Sequence, residues 1–186
     1  MWLFSCGMMR AASTAQYQIV ASLLAEAEAG EDLGSVGGPE DFQALRTEQG
    51  DQDHYQLVKC HRYMPGAASL LANGKARGVY VYRDIRDVVI SWMYKSNRSF
   101  REIMDGEFLD QILADDLMWT SQPHVMISRY EVMTTNLEQE ALRIRDHLQL
   151  DVSDETARAI GQKHTLDKNQ ERIQSFDYEK EGEYEG

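Results

Sequence analysis

Residues 2–14 read WLFSCGMMRAAST, an apolar run that passes through Gly7 into a turn of small and polar residues. Apolar residues then recur at helical spacing to about residue 29, so the pattern predicts a buried strand, a tight turn and a helix. The free N–H groups and the positive dipole end of such a helix point at whatever sits in the turn, which makes the turn an anion site. The stretch therefore predicts an α/β domain with a phosphate-binding loop at residues 7–14.

This loop differs from the common nucleotide-binding pattern G-x-x-x-x-G-K-[ST]. Ser13 stands where that pattern has its lysine, and Ala12 stands where it has its second glycine. Arg10 supplies a positive charge three positions before the usual lysine, and Thr14 keeps the hydroxyl. The pattern indicates a relative of the P-loop whose cation lies on the other side of the phosphate.

Two further segments end in charged residues. Residues 55–61 read YQLVKCH, a strand pattern that ends with Lys59 and His61. Residues 78–91 read GVYVYRDIRDVVIS, in which a strand pattern runs into Arg83 and a serine, Ser91, follows eight positions later. Because ligands of parallel sheets bind at the carboxyl ends of the strands, these segments are expected to face the same ligand as the loop.

The three segments resemble the sulfotransferases that use 3′-phosphoadenosine 5′-phosphosulfate (PAPS). The family's loop, G-x-P-[RK]-S-G-[ST]-T, is similar to residues 7–14, and its K-x-H segment is similar to residues 59–61. Residues 83–91 are similar to the family's 3′-phosphate motif. That motif begins with an Arg at the end of a strand and continues with Asn or Asp, any residue, Arg or Lys, and Asp-Val. A Ser stands eight positions after the first Arg. The segments occur in the family's order, and a late strand, Tyr-Glu and helix at residues 125–148 is similar too.

The resemblance implies roles for individual residues. It implies that His61 acts as the catalytic base and that Lys59 and Arg10 neutralise charge on the transferring group. It implies a 3′-phosphate site at Arg83 and Ser91 and a phosphosulfate site made by Arg10, Ala11, Ala12, Ser13 and Thr14. The donor would be PAPS, the product adenosine 3′,5′-bisphosphate (PAP), and no metal would be required. The acceptor would be a hydroxyl or amine of a small molecule or carbohydrate.

Two departures from the family pattern concern cofactor binding. Ala11 and Ala12 replace the usual Ser-Gly, so one hydroxyl is lost. If position 12 needs a left-handed backbone, alanine costs on the order of 1 kcal/mol relative to glycine there. The C-terminal Arg-Lys-Gly of the family's cytosolic animal members is also missing, so 3′-phosphate binding is expected to rest on Arg83 and Ser91.

Other interpretations of the same residues stay open at this point. A P-loop kinase would need a lysine at position 13 and a strand-end aspartate for Mg²⁺. A catalytically silent nucleotide-binding relative would fit the two alanines in the loop. The residues around Arg83 and Arg86 could form a surface ion-pair cluster, and His61 could be purely structural.

Composition excludes several classes of function. The net charge of −12 repels nucleic acid and anionic membranes. No apolar stretch approaches the ~20 residues of a membrane span, and the apolar N-terminus is too short for a secretory signal, so a cytoplasmic location is expected. The two cysteines and five histidines show no metal-ligand spacing. The sequence carries no signal for an oligomeric state.

The predicted fold is three-layer α/β/α with a central parallel sheet, of the P-loop NTPase-like sulfotransferase type. Residues 1–178 are expected to form one domain, and residues 179–186 a disordered tail. Residues 30–53 are expected to be either a mobile surface insertion with a short helix near 40–46 or a lid over the acceptor site. Strands are predicted at 2–6, 55–60, 78–83 and 124–129, and helices at 14–29, 66–74, 86–97, 101–120, 136–149 and 153–163. The apolar residues of 100–119 are expected to pack in the core or, alternatively, to line an acceptor pocket.

Overall fold

A computed structural model of the chain describes residues 1–165. Within them lie five strands, which are β1 (Trp2–Gly7), β2 (Gly30–Ser35), β3 (Tyr55–Cys60), β4 (Ala76–Tyr82) and β5 (Val125–Arg129). The helices are α1 (Ser13–Glu26), α2 (Pro39–Gln49), α3 (Pro65–Ala72), α4 (Ile85–Ser96), α5 (Phe100–Met104), α6 (Phe108–Thr120), α7 (Tyr130–Thr135), α8 (Leu137–Leu148) and α9 (Asp154–Lys163). None of the helices within residues 1–165 combines the length and the apolar composition that a membrane span requires.

The five strands form one sheet in the order β2-β3-β1-β4-β5, and each neighbouring pair is parallel. Helices cover both faces, as the alternation of β1 side chains shows. Trp2 and Phe4 each meet the ring of Phe42 in α2 with centroids 5.1 Å apart. Ser5, on the opposite face, receives a hydrogen bond of 3.4 Å from Gln16 of α1. The predicted α/β fold with a central parallel sheet is confirmed.

Residues 30–53 contain a strand and a helix where the sequence predicts an insertion with one short helix. Gly30–Ser35 forms the edge strand β2, which pairs with β3. Pro39–Gln49 forms α2, which is longer at both ends than the predicted short helix. Its Phe42 is buried against β1. The strand was missed because its sequence, GEDLGS, is polar, and an edge strand can be held by backbone pairing to one neighbour without an apolar face.

The helix predicted at 101–120 is two helices. Ser99 and Glu102 form a capping box at the start of α5, and the chain then turns through Gly106 before α6 begins. Ile103, Ile112 and Trp119 are buried in the core, as expected. The remaining apolar residues are more exposed than predicted, and those 41–68% exposed are Phe100, Met104, Leu113, Leu117 and Met118. The predicted tail at 179–186 lies outside the described residues.

Candidate functional site

The segments singled out in the sequence meet at one edge of the sheet. β1 lies between β3 and β4, and Cys6 is in register with both Cys60 and Tyr80. The parallel strands therefore end side by side, which brings the loop after β1, the end of β3 and the start of α4 together.

The loop is built for close backbone approach. A side chain at Gly7 would place its Cβ only 2.6 Å from the Val81 side chain and 2.7 Å from the Val81 carbonyl oxygen, so only glycine fits. The next N–H, at Met8, donates to that same carbonyl at 2.9 Å. Within residues 1–165, no side chain caps the N-terminus of α1, which starts at Ser13. Its N–H groups are therefore available to an anion.

Ala12 adopts a left-handed backbone conformation, with φ of 65°. This is the conformation in which alanine is less favourable than the glycine of the family pattern. An Ala12→Gly variant is therefore expected to be more stable by about 1 kcal/mol, because glycine has no Cβ to strain in this region. Thermal unfolding should show a midpoint raised by roughly 2–4 °C. Ala11→Gly is the matched control, because Ala11 is fully buried with negative φ and its loss of a methyl group should lower the midpoint. A midpoint for Ala12→Gly at or below that of the parent protein would contradict the strain.

Arg83 lies against the loop and away from the surface. Its Nη1 donates to the carbonyl oxygen of Arg10 at 3.1 Å, and its guanidinium stacks on the Tyr130 ring at 4.0 Å. Arg10 in turn donates from Nε to Ser91 Oγ at 2.9 Å. Two guanidinium groups and a hydroxyl thus converge beside the loop, and Asp87 lies 3.7 Å from Arg83 Nε as the nearby carboxylate.

Arg86 forms a surface ion pair, as the alternative interpretation of this segment predicts for it. Its side chain is 84% exposed and pairs with Asp84 at 2.6 Å. The two arginines of the RDIRD segment therefore have different surroundings, because Arg83 directly follows β4 and is largely buried, whereas Arg86 lies in the first turn of α4 and is exposed to solvent.

Lys59 points to the α1 side of the sheet. Its Nζ donates to Thr14 Oγ1 at 2.9 Å and lies 5.7 Å from the centre of the Tyr17 ring. Partial burial lowers the pKa of the lysine from its ordinary value. The ammonium group is thus fixed at the first turn of α1, on the same side of the sheet as the N-terminus of that helix.

His61 follows β3 and is held by the loop. Its Nδ1 lies 2.8 Å from the Gly7 carbonyl oxygen. Since a carbonyl oxygen only accepts, Nδ1 carries the proton of the neutral ring and Nε2 keeps its lone pair. Burial lowers the pKa of His61, and Lys59 lowers it further against the opposing effect of the Gly7 bond. The imidazole is therefore neutral, with a basic nitrogen, at neutral pH.

A cavity of about 220 Å³ lies next to His61, on the α6 side of the sheet. Its apolar wall is formed by Met8, Met9, Tyr80, Phe108 and Ile112. Phe108 is held there by stacking on Trp92 of α4, with ring centroids 4.8 Å apart. Its polar wall is formed by Arg62, by Glu107 at the N-cap of α6, and by Gln111 and Asp115 of that helix, the last three spaced by four residues.

The structure thus brings together most of the residues singled out in the sequence. Ala11 is the exception, because it is fully buried and its N–H donates back to Met8 at 3.3 Å, so neither group faces the cleft. Sequence reasoning missed Tyr80 and Asp115, which line the cavity. Tyr80 lies inside a predicted strand and Asp115 inside a predicted helix, and no local sequence pattern distinguishes either residue from its neighbours.

Comparisons with known proteins agree with this geometry. A family model described as sulfotransferase domain matches residues 40–183, which include the segments at 59–61 and 83–91. The amine sulfotransferase of Oryctolagus cuniculus is 30% identical over an alignment of 117 residues, which takes in 54% of this chain and 39% of the relative. The chain thus spans about two fifths of the curated relative.

Solved structures show the same fold. Retinol dehydratase in complex with retinol and PAP matches with a TM-score of 0.63 and 15% identity, over 90% of this chain and 65% of that one. Mouse sulfotransferase SULT7A1 complexed with PAP matches with a TM-score of 0.55 and 15% identity, over 90% of this chain and 66% of that one. The family model, the curated relative and the shared parallel sheet lead to one conclusion: the chain belongs to the sulfotransferase domain family.

Proposed function

We propose that the chain is a sulfotransferase that moves a sulfuryl group from PAPS to a hydroxyl or amine acceptor. One observation carries this proposal: the end of β3 places Lys59 against the first turn of α1 and His61 beside the cavity. A cation for the donor and a base for the acceptor are then two residues apart in the chain, with the Gly7 loop between them.

The residues of the donor side fit a ligand with two separated phosphate groups. The uncapped start of α1, Thr14 and Lys59 offer donors for a 5′-phosphosulfate. Arg83, Arg10 and Ser91 offer donors for a 3′-phosphate beside the loop. On a chain of net charge −12, such a cluster of cations points to a polyanionic ligand. When bound, PAPS supplies the sulfuryl group and leaves as PAP, and the similar structures of retinol dehydratase and mouse SULT7A1 are complexes of those proteins with PAP.

The residues of the acceptor side fit general base catalysis. His61 Nε2 takes the proton of the acceptor hydroxyl or amine as its oxygen or nitrogen becomes bonded to sulfur. The Nδ1–H bond to Gly7 keeps the ring in the tautomer that can do this. Lys59 and Arg10 stabilise the negative charge that collects on the group being displaced.

The cavity favours a small acceptor with an apolar body. Its volume of about 220 Å³ is below the roughly 300–1,000 Å³ of pockets that hold drug-sized ligands. Methionine and phenylalanine side chains form much of its wall, which suits an apolar molecule better than a carbohydrate. The relative from Oryctolagus cuniculus is named for amine acceptors, so compact arylamines and phenols are the first candidates. A cytoplasmic location stays a prediction.

Calorimetric titration and a transfer assay test the proposal together. We expect PAP to bind and ATP to bind much more weakly, and labelled sulfate to pass from PAPS to compact phenols or arylamines. Preferred binding of ATP with phosphate transfer would instead support the kinase. Binding of PAP without transfer to any member of a phenol, arylamine, alcohol and sugar panel would support the catalytically silent relative.

A further inference from the structure

Asp115 of α6 is a buried carboxylate with three polar contacts to its surroundings. The residue is 9% exposed, and its Oδ1 accepts the backbone N–H of Tyr63 at 2.8 Å. Its Oδ2 lies 3.1 Å from Arg62 Nε and accepts from Gln111 Nε2 at 3.0 Å. Such a carboxylate is stabilised only while its partners remain in place, and it holds those partners in return.

Two of those contacts belong to the residues that directly follow His61. Arg62 is held through its side chain and Tyr63 through its backbone, and the Tyr63 ring packs edge-on against Trp119, one turn further along α6, at 5.2 Å. On its other side, His61 is held by the Gly7 carbonyl. The imidazole is thus fixed between the loop after β1 and helix α6, and Asp115 forms the α6 half of that support.

Asp115 also balances the charge nearest to the imidazole along the chain. The titratable and charged groups that act on His61 or share its cavity are Lys59 near the end of β3, Arg62 beside it, Tyr80 of β4, Glu107 at the start of α6 and Asp115 within α6. Lys59 already disfavours the imidazolium. Without the carboxylate of Asp115, the guanidinium of Arg62 would add a second uncompensated positive charge.

We propose that Asp115 is a positioning residue for His61: through Arg62 and Tyr63 it aims Nε2 into the cavity, and it neutralises the cation beside the ring. This inference rests on the base role proposed for His61. Arg62 and Asp115 come from segments 53 positions apart, and they meet only because α6 packs over the end of β3.

The test compares Asp115→Asn with the parent protein by two independent measurements. Asparagine keeps an acceptor for the Tyr63 N–H and removes the charge, so the fold is expected to persist. We expect kcat to fall about ten- to a hundredfold, the loss that misplacement of a catalytic group produces. We expect PAP affinity to stay within about twofold, because the contacts of Asp115 are all on the side of the sheet away from Lys59 and α1. NMR titration of the His61 ring should show a lower pKa than in the parent.

The Arg62→Gln variant is expected to shift the His61 pKa in the opposite direction. It also keeps the proposal testable if Asp115→Asn does not fold. Arg62 is half exposed, and its replacement removes the cation, so the His61 pKa should rise relative to the parent. In the double variant, with both charges gone, the pKa should return toward the parent value. A His61 pKa that none of these variants moves, or Asp115→Asn with unchanged kcat and only a lower melting temperature, would overturn the proposal. The ring titration needs no turnover, so a chain without sulfotransferase activity would still show whether Asp115 controls His61.

Discussion

A His61→Asn variant is expected to lose about 10²- to 10⁴-fold in kcat, the usual contribution of a general base. Asparagine can still donate a side-chain N–H to the Gly7 carbonyl, so the loop keeps its contact while the basic nitrogen is lost. Affinity for PAP, measured by calorimetry, should stay within about twofold, because the ring lines the cavity while Lys59 and Thr14, which are proposed to hold the donor, keep their own contact.

The pH dependence of the same pair of proteins separates a base from a structural histidine. Burial lowers the pKa of His61 below its ordinary 6.5, so the fraction in the neutral, proton-accepting form rises with pH through a midpoint below that value. The parent rate should follow this rise and be level at neutral pH, and the residual rate of His61→Asn should lack it. The same acid limb in the variant, or unchanged turnover, would remove His61 from the base role.

The strands and the site could be predicted together because both depend on the ends of buried parallel strands. β1, β3, β4 and β5 are apolar or rich in β-branched and aromatic residues, which makes them visible without an alignment, and the structure confirms them to within about two residues. Once these strands are parallel neighbours, the residues that follow them must share an edge. The proximity of Arg83 to the residue 7–14 loop follows from that topology.

What the sequence did not reveal depends on contacts between distant segments. β2 is polar and is held by backbone pairing to β3, so its composition gives no strand pattern. Asp115 is surrounded by other acids in DDL and DQIL segments of α6, and its burial arises only from the docking of that helix over Arg62 and Tyr63. The family pattern has glycine at position 12, so the sequence could suggest a left-handed backbone there. Only the folded loop shows that Ala12 adopts it.

Arg83→Ala is expected to weaken PAP binding about 10- to 150-fold, which corresponds to the roughly 1.5–3 kcal/mol of hydrogen bonds to charged groups. The guanidinium is largely buried, with 19% of the side chain exposed, and it is oriented by Tyr130 and by the Arg10 carbonyl. A preorganised cation loses little side-chain entropy when an anion binds, so its effect should be near the upper part of that range. Calorimetric titration with PAP measures it directly.

Comparison with AMP decides whether Arg83 contacts the 3′-phosphate or only supports the loop. AMP lacks that phosphate, so its affinity should change far less than that of PAP if the guanidinium binds the phosphate. Arg86→Ala is the matched control, because the Arg86 side chain is 84% exposed and paired with Asp84. The affinities of this variant for PAP and AMP should equal those of the parent protein. Equal losses for PAP and AMP in Arg83→Ala would mean that the arginine acts through the Arg10 carbonyl on the shape of the loop. Discrimination for the 3′-phosphate would then have to come from Arg10 and Ser91, which are already joined to each other at 2.9 Å.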